Sequence, residues 1–437
     1  MPNTIFSNSV PNRNASLFAL SNLVKSHDKS WQQPTVSNSM TISKVKPSGY
    51  VLALSYWDQQ TTAFRNLLSL QCWARQVELV VVEPFIIGSD LGMQVVEQNN
   101  HSDEMVVRFR DLFDINQWND PSHTKVTPLV SWKIFLENAP RNVILVEMKY
   151  TDHPMKFPEL PLDVTCKKKI LIRQFSQVFG SHGFHLQRTV CLDFRKVGIL
   201  TTSQFNAYLF GRFSTSSVSV VFMMWRGIVT SVSHRIMLRD SACGNGLGYS
   251  KHVLSLNPSQ KIFRHADQYI QRYLTGGDYI AIALRLERIL HSSGMNNVPA
   301  CLNKTLGYLS RLKQGIQAAN TFLSMDVGNF GSKGYKKHHI VFTVTQQAET
   351  LIETLYGNST TIQDWEETFL NISRTSNPGY IALLQKTIAT QAKCLLLVGG
   401  GTFQQHAFRQ YQQMHTSRWC YVQLDGFCSQ KVYNVPW

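Results

Sequence analysis

Acidic residues are scarce in this 437-residue chain: 28 Asp and Glu stand against 43 Lys and Arg, a formal net charge of +15. That balance suits an anionic partner such as nucleic acid, an acidic membrane face or a phosphorylated small molecule. Nucleic acid is disfavoured by further absences. There is no zinc-finger spacing, no aromatic strand of the RNA-recognition type, and no basic block beyond Lys167-Lys168-Lys169, which reads as a solvated helix start. None of the eight cysteines forms a Cys-x-x-Cys pair, which argues against zinc ribbons and thioredoxin chemistry. The even count permits disulfides without requiring them. No long apolar run opens the chain. The stretch around Leu17 to Val24 is far too short to span a bilayer, so neither signal peptide nor membrane anchor is visible.

What is present is a core. Hydrophobic residues make up 43% of the chain, enough to exclude global disorder, and the length suits two domains of α/β size. Residues 1–47 read as a disordered tail or stem, polar and punctuated by Pro2, Pro11, Pro34 and Pro47. Order begins with the apolar run Tyr50 to Tyr56. Helical spacing follows from Thr61 through Phe64, Leu67 and Leu68 to Trp73, then the strand Leu79 to Glu83. Strand, helix, strand at this spacing is a βαβ unit with a parallel sheet.

The pattern repeats in strands at Val143 to Glu147, Leu186 to Phe194 and Val218 to Met224, with a helix over 167–179. Residues 240–258 break the rhythm with Gly244, Gly246, Gly248 and Pro258, which places a boundary there: a first domain over 48–245 and a second over 246–437. The second half restarts with an amphipathic helix from Lys261 to Leu274. Strands follow at Tyr279 to Leu284, Thr321 to Asp326 and Cys394 to Val398, with helices over 302–317, 344–356 and 378–392 and one starting near Phe403.

Ligands of parallel sheets bind beyond the carboxyl ends of the strands. Arg285 follows the first strand of the second half, with Glu287 and Arg288 close behind; Asp326 ends the next; Gly399-Gly400-Gly401 with Thr402 and Phe403 follows the third. In outline this is a pyrophosphate site. A guanidinium fork meets phosphate oxygens, glycines let the backbone approach, and a helix N-terminus presents N–H groups. Taken singly, the features also fit a surface arginine, a capping aspartate and a plain turn. Their coincidence at one end of three strands favours a binding site.

The segments Asp278 to Arg285, Phe322 to Asp326 and Cys394 to Phe403 resemble the C-terminal half of the GDP-fucose protein O-fucosyltransferases. The opening strand, Gln59/Gln60 to Asn66 and Val82-Glu83-Pro84 resemble the family's first βα unit. The opening block of Tyr-Leu-Ala-Leu-Ser-Tyr-x-x-Gln type, Trp225-Arg226-Gly227 and the Gly-Gly-Gly-x-Phe-Gln block at 399–404 resemble divergent animal members. The islands spread over residues 48–425. The resemblance implies two Rossmann-like domains facing a central cleft, of GT-B type. The first would be the acceptor side and the second would bind the GDP-sugar. Fucose would pass from GDP-fucose to Ser or Thr hydroxyls of proteins, with inversion and without metal or cofactor, in the lumen of the secretory pathway.

By the same resemblance Arg285 would hold the β-phosphate and assist departure of GDP. Asp326 would contact the nucleotide, and Thr402 with Phe403 would line the phosphate and guanine side, next to the close backbone approach at Gly400 and Gly401. Asn66 would face the sugar. Apart from the resemblance, the place of Arg226 between Trp225 and Gly227 suits either a clamp on the sugar nucleotide or packing between domains with Trp225. No Asp-x-Asp signature appears, in keeping with a metal-free mechanism.

The chain also departs from the family. Ala283 stands where a His-x-Arg element has its histidine, and the first glycine-rich loop is replaced by Asp58 to Asn66. Asp58 and Glu83 are the near carboxylates for a general base. These departures leave an alternative open: an inactive nucleotide-sugar- or glycan-binding protein of the same fold. Other features have bland readings. His338-His339 beside Lys336-Lys337 reads as a solvated loop in preference to a metal or anion site, and His406 as an exposed helix residue in preference to one facing the phosphates. Trp57, Trp73, Trp118, Trp132 and Trp365 read as core or surface packing. Five Asn-x-Ser/Thr acceptors, at Asn14, Asn100, Asn303, Asn358 and Asn371, tilt weakly towards a secretory compartment.

Overall fold

The computed structural model describes residues 49–56, 60–87, 90–92, 106–119, 127–149, 168–193, 202–225, 257–274, 278–318, 320–325, 350–351, 354, 378–415 and 420–435. Contacts divide the chain into Met1–Lys46, which lies outside the described residues, and Pro47–Trp437. The expected boundary at 245/246 also lies outside them, as does most of the helix expected over 344–356.

The first half is a βαβ arrangement. β1 (Gly49–Ala53) leads to α1 (Gln60–Gln76) and β2 (Leu79–Val82). A small antiparallel sheet follows, made of β3 (Phe85–Ile87), β4 (Asp90–Gly92) and β5 (Val106–Arg108). Short helices α2 (Phe109–Leu112) and α3 (Ile115–Asn119) precede β6 (Leu129–Val130) and α4 (Trp132–Asn138). Then come β7 (Asn142–Lys149), α5 (Lys168–Phe179), β8 (His185–Asp193), α6 (Thr202–Phe210) and β9 (Ser219–Phe222). The main sheet runs β6-β2-β1-β9-β7-β8, and its pairings are parallel. All five residues of β1 are buried, as expected of a strand covered on both faces, and this is why its sequence is a continuous apolar run.

The second half starts with α7 (Gln260–Tyr273), which buries Ile262, Ala266 and Tyr269 at helical spacing. After β10 (Tyr279–Leu284) come α8 (Leu286–Ser293), α9 (Val298–Ile316) with proline in its first turn, and β11 (Asn320–Met325). α10 (Pro378–Thr390), β12 (Cys394–Val398), α11 (Thr402–Met414), β13 (Cys420–Leu424) and β14 (Gln430–Asn434) complete it. The order is β11-β10-β12-β13-β14, parallel except for the last strand, which returns antiparallel. One apolar cluster, including Leu67, Trp73 and Trp225, extends to Tyr279, Ala281, Leu395 and Leu397 of the second sheet, and a separate cluster packs its other face. α1 packs against α11, so the first helix of the chain reaches the second sheet's last crossover helix.

Disulfides link Cys301 to Cys428 and Cys394 to Cys420; Cys72 and Cys191 are disulfide-bonded too, and no described cysteine is free. No helix among the described residues is long and apolar enough to cross a membrane.

Candidate functional site

β10 lies between β11 and β12, with Leu284 in register with Met325 and with Val398. The carboxyl ends of these three strands therefore share one edge of the sheet, and Arg285 meets the glycine loop there. Its N–H donates to the Val398 carbonyl at 2.8 Å, one step beyond the ladder, before the chain turns into α8. Asp326 and Arg226 lie outside the described residues, and so do the side chains of Thr402 and Phe403, whose backbone forms the first turn of α11.

The three glycines have φ of +107°, +78° and +106°, a region that residues with a Cβ rarely adopt. Close approach adds a second reason for glycine. A Cβ on Gly399 would lie 2.6 Å from the Arg285 carbonyl oxygen, and one on Gly401 would run into Arg285 Nη1. Gly401 is thus the seat of the guanidinium, whose Nη1 donates to Gly400 O at 3.5 Å. Arg288, exposed one turn along α8, brings its Nε to 3.9 Å from the same Cβ position. Two arginines therefore flank the N-terminus of a 13-residue helix that has no acidic residue in its first turn. Guanidinium forks, first-turn N–H groups and the helix dipole all favour a bound anion, and phosphate oxygens match that donor geometry.

Gln404 holds the loop in this shape. It is fully buried; its Oε1 accepts from Gly400 N–H at 2.7 Å, and its Nε2 donates to Ala283 O at 3.0 Å and Val398 O at 2.7 Å. The side chain ties the ends of two strands to the loop between β12 and α11. Because Gly400 N–H is taken by Gln404, and Gly399 N–H by Leu424 O at 3.0 Å, the anion-facing donors are the arginines and the first turn of α11. In the sequence Arg288 is notable only as lying close behind Arg285, and Gln404 only as the end of the 399–404 block; neither has a role assigned there. The available signal for Gln404 was its place on the helix face that also buries Ala407 and Tyr411: a polar group there needs partners.

The remaining expected residues have definite surroundings. Asn66 is buried on α1, 3% exposed, and its carbonyl accepts from Ser69 Oγ at 2.7 Å. Ser69 Oγ in turn accepts from Trp225 Nε1 at 2.8 Å, and the Trp225 ring is packed against Trp73 and Phe222, a core role. Glu83 does not stand free as a base. It is 4% exposed and bound by the Arg110 backbone N–H at 2.8 Å and by the Arg110 guanidinium. Asp58 lies outside the described residues.

His406 corrects the reading of an exposed helix residue: it is fully buried, with Nδ1 2.5 Å from Lys386 Nζ on α10. The helix turn at its position faces the packed interior between α10 and α11, which the local pattern does not reveal. Burial disfavours the charged ammonium and pulls Lys386 down to about 7 from its ordinary 10.5. In the unfolded chain Lys386 keeps its proton up to about 10.5, so between the two values the unfolded state binds more protons. Stability is expected to rise with pH from about 7 to about 10, with the full penalty present below 7. Thermal midpoints measured across that window should climb for the native chain and stay flatter for Lys386→Met; equal slopes would contradict the assignment.

No family model matches the chain, and no curated protein matches it. Among solved structures, POFUT1 in complex with GDP-fucose aligns at a TM-score of 0.47 and 13% identity, covering 84% of this chain and 95% of that one. POFUT1 in complex with GDP aligns at 0.48 and 12%, covering 86% and 99%. The fucosyltransferase NodZ from Bradyrhizobium aligns at 0.35 and 11%, covering 89% and 99%. At these values the likeness is one of overall trace and says nothing of the chemistry.

Proposed function

We propose that the chain is a glycosyltransferase-like protein that holds a nucleoside-diphosphate sugar at Arg285 and passes fucose from GDP-fucose to Ser or Thr hydroxyls of proteins, with inversion and without a metal. One observation carries the anion site: the Arg285 guanidinium seated on Gly401, with Arg288 beside it, at the N-terminus of α11 and the carboxyl ends of β10 and β12. Guanine and fucose are inferred from the resemblance of the islands at 278–285, 322–326 and 394–403. In this reading residues 246–437 bind the donor and residues 48–245 face the acceptor.

The acceptor hydroxyl oxygen attacks the anomeric carbon as that carbon's bond to the β-phosphate oxygen breaks; the electron pair leaves with GDP, and the hydroxyl proton passes to an oxygen of the departing β-phosphate. Arg285 neutralises the charge that builds there, a contribution that grows towards the transition state. With Glu83 tied to Arg110, this reading places the main contribution on leaving-group stabilisation. The disulfides support synthesis in an oxidising compartment such as the secretory lumen.

Calorimetric titration with GDP, GDP-fucose, UDP and ADP tests the donor assignment. Binding selective for the guanine nucleotides is expected, and equal affinity for UDP or ADP, or no binding by folded protein, would remove it. A second reading, binding without turnover, is favoured by Ala283: it is buried, and its carbonyl is taken by Gln404 where the family has a histidine. Hydrolysis of GDP-fucose above background, or transfer to any acceptor, would rule that second reading out.

A further inference from the structure

The turn between β13 and β14 is braced far beyond what a surface connection needs. Asp425 Oδ1 accepts from Phe427 N–H and Ser429 N–H, both at 2.9 Å, and its carboxylate meets Lys431 Nζ at 3.1 Å. Gly426 lies flat on the last turn of α8, where a Cβ would sit 2.8 Å from Ser292 Cβ, and its carbonyl accepts from Ser293 Oγ at 3.0 Å. Cys428 is held at φ +55°, a left-handed conformation unusual outside glycine, by its disulfide to Cys301 and by Lys304, whose Nζ donates to its carbonyl at 2.9 Å. All this rigidity presents one side chain: the ring of Phe427, 66% exposed.

Beside that ring is a hollow of about 470 Å³ between the turn and the start of α9. Ser292, Asn297 and Lys304 line it together with Phe427 and the disulfide. Asn297 donates through Nδ2 to Ser293 O at 2.6 Å, which leaves its Oδ1 as an acceptor; Ser292 Oγ and two hydrogens of the Lys304 ammonium are available as donors. Among the described residues the lining holds no carboxylate and no imidazole, and its donors and acceptors suit a neutral polar guest. Two serines, an amide and an ammonium make it too polar for a purely apolar guest. One rigid aromatic wall beside a few fixed donors and acceptors matches a ligand with an apolar C–H face and a rim of hydroxyls.

We infer that this hollow binds a pyranose sugar, with its C–H face on Phe427 and its hydroxyls on Ser292, Asn297 and Lys304. The site shares no residue with the Arg285 anion site. α8, eight residues long and so about 12 Å, separates Arg285, just before its start, from Ser292 in its last turn, so the inference stands apart from the proposed function.

Saturation-transfer NMR on the full chain tests it, with mannose, N-acetylglucosamine and glucuronic acid each at about 5 mM, a range suited to weak sugar binding, and cyclohexanol as the apolar control. Saturation of the ring protons of at least one sugar is expected, lost in Phe427→Ala and reduced in Lys304→Met. Phe427 is exposed, so its loss leaves the fold intact. The inference is overturned if no sugar receives saturation, if cyclohexanol receives as much, or if the transfer survives Phe427→Ala. GDP titration of the same variants reads the other site independently and should be unchanged.

Discussion

Replacement of Arg285 by alanine is expected to weaken GDP binding by about ten- to a hundredfold, since a charge-assisted pair to phosphate contributes about 1.5–3 kcal/mol. The effect should fall on binding rather than folding. Alanine retains the backbone N–H bond to Val398 O, and the Nη1 bond to Gly400 O that it removes is a long one at 3.5 Å. Lysine at the same place keeps the charge and loses the planar fork, so Arg285→Lys should fall between the two. Titration calorimetry beside a thermal melt separates the cases. If Arg285→Ala stays folded and binds GDP like the native chain, the anion site is elsewhere and the proposed mechanism fails with it.

Gly401→Ala should be nearly as damaging, for a different reason. The residue has φ +106° and ψ 173°, a region essentially reserved for glycine, so alanine costs about 1–3 kcal/mol in backbone strain. Its methyl would also occupy the space of Arg285 Nη1 and push the guanidinium out of its seat. Gly294 offers a control within the same fold: it has φ +73° and ψ 168° but nothing within 4 Å of its Cβ position. Both alanine variants should therefore lose stability, whereas GDP affinity should drop only in Gly401→Ala. Native-like GDP binding by Gly401→Ala would show that the arginine is not positioned by this contact.

Much of the architecture was readable along the chain because parallel strands buried on both faces must be apolar at every position. Tyr279 to Leu284 and Cys394 to Val398 stand out for that reason, and both are completely buried strands. The helices at Gln60–Gln76 and Gln260–Tyr273 declare themselves by their spacing. The short antiparallel strands at 85–87, 90–92 and 106–108 did not. Three residues carry no period, and their pairing depends on segments distant in sequence. The β13–β14 hairpin and the eight-residue helix after Arg285 were missed likewise, being short elements that tertiary contacts rather than local pattern hold in place.

The site divides in the same way. By itself the sequence determined that Arg285 and the triple glycine follow apolar strands, and parallel pairing then requires them to share an edge. Only the tertiary structure decided that Gly401 makes room for the guanidinium, that Gln404 crosslinks the strand ends, and that Glu83 is bound by Arg110 rather than poised as a base. It also decided that His406 faces inward onto Lys386. Residue order settles which backbone groups come together, because hydrogen-bonded strands have few registers open to them. Side-chain partners are chosen by packing across elements, and that information is spread over positions from 83 to 428 that no local window contains.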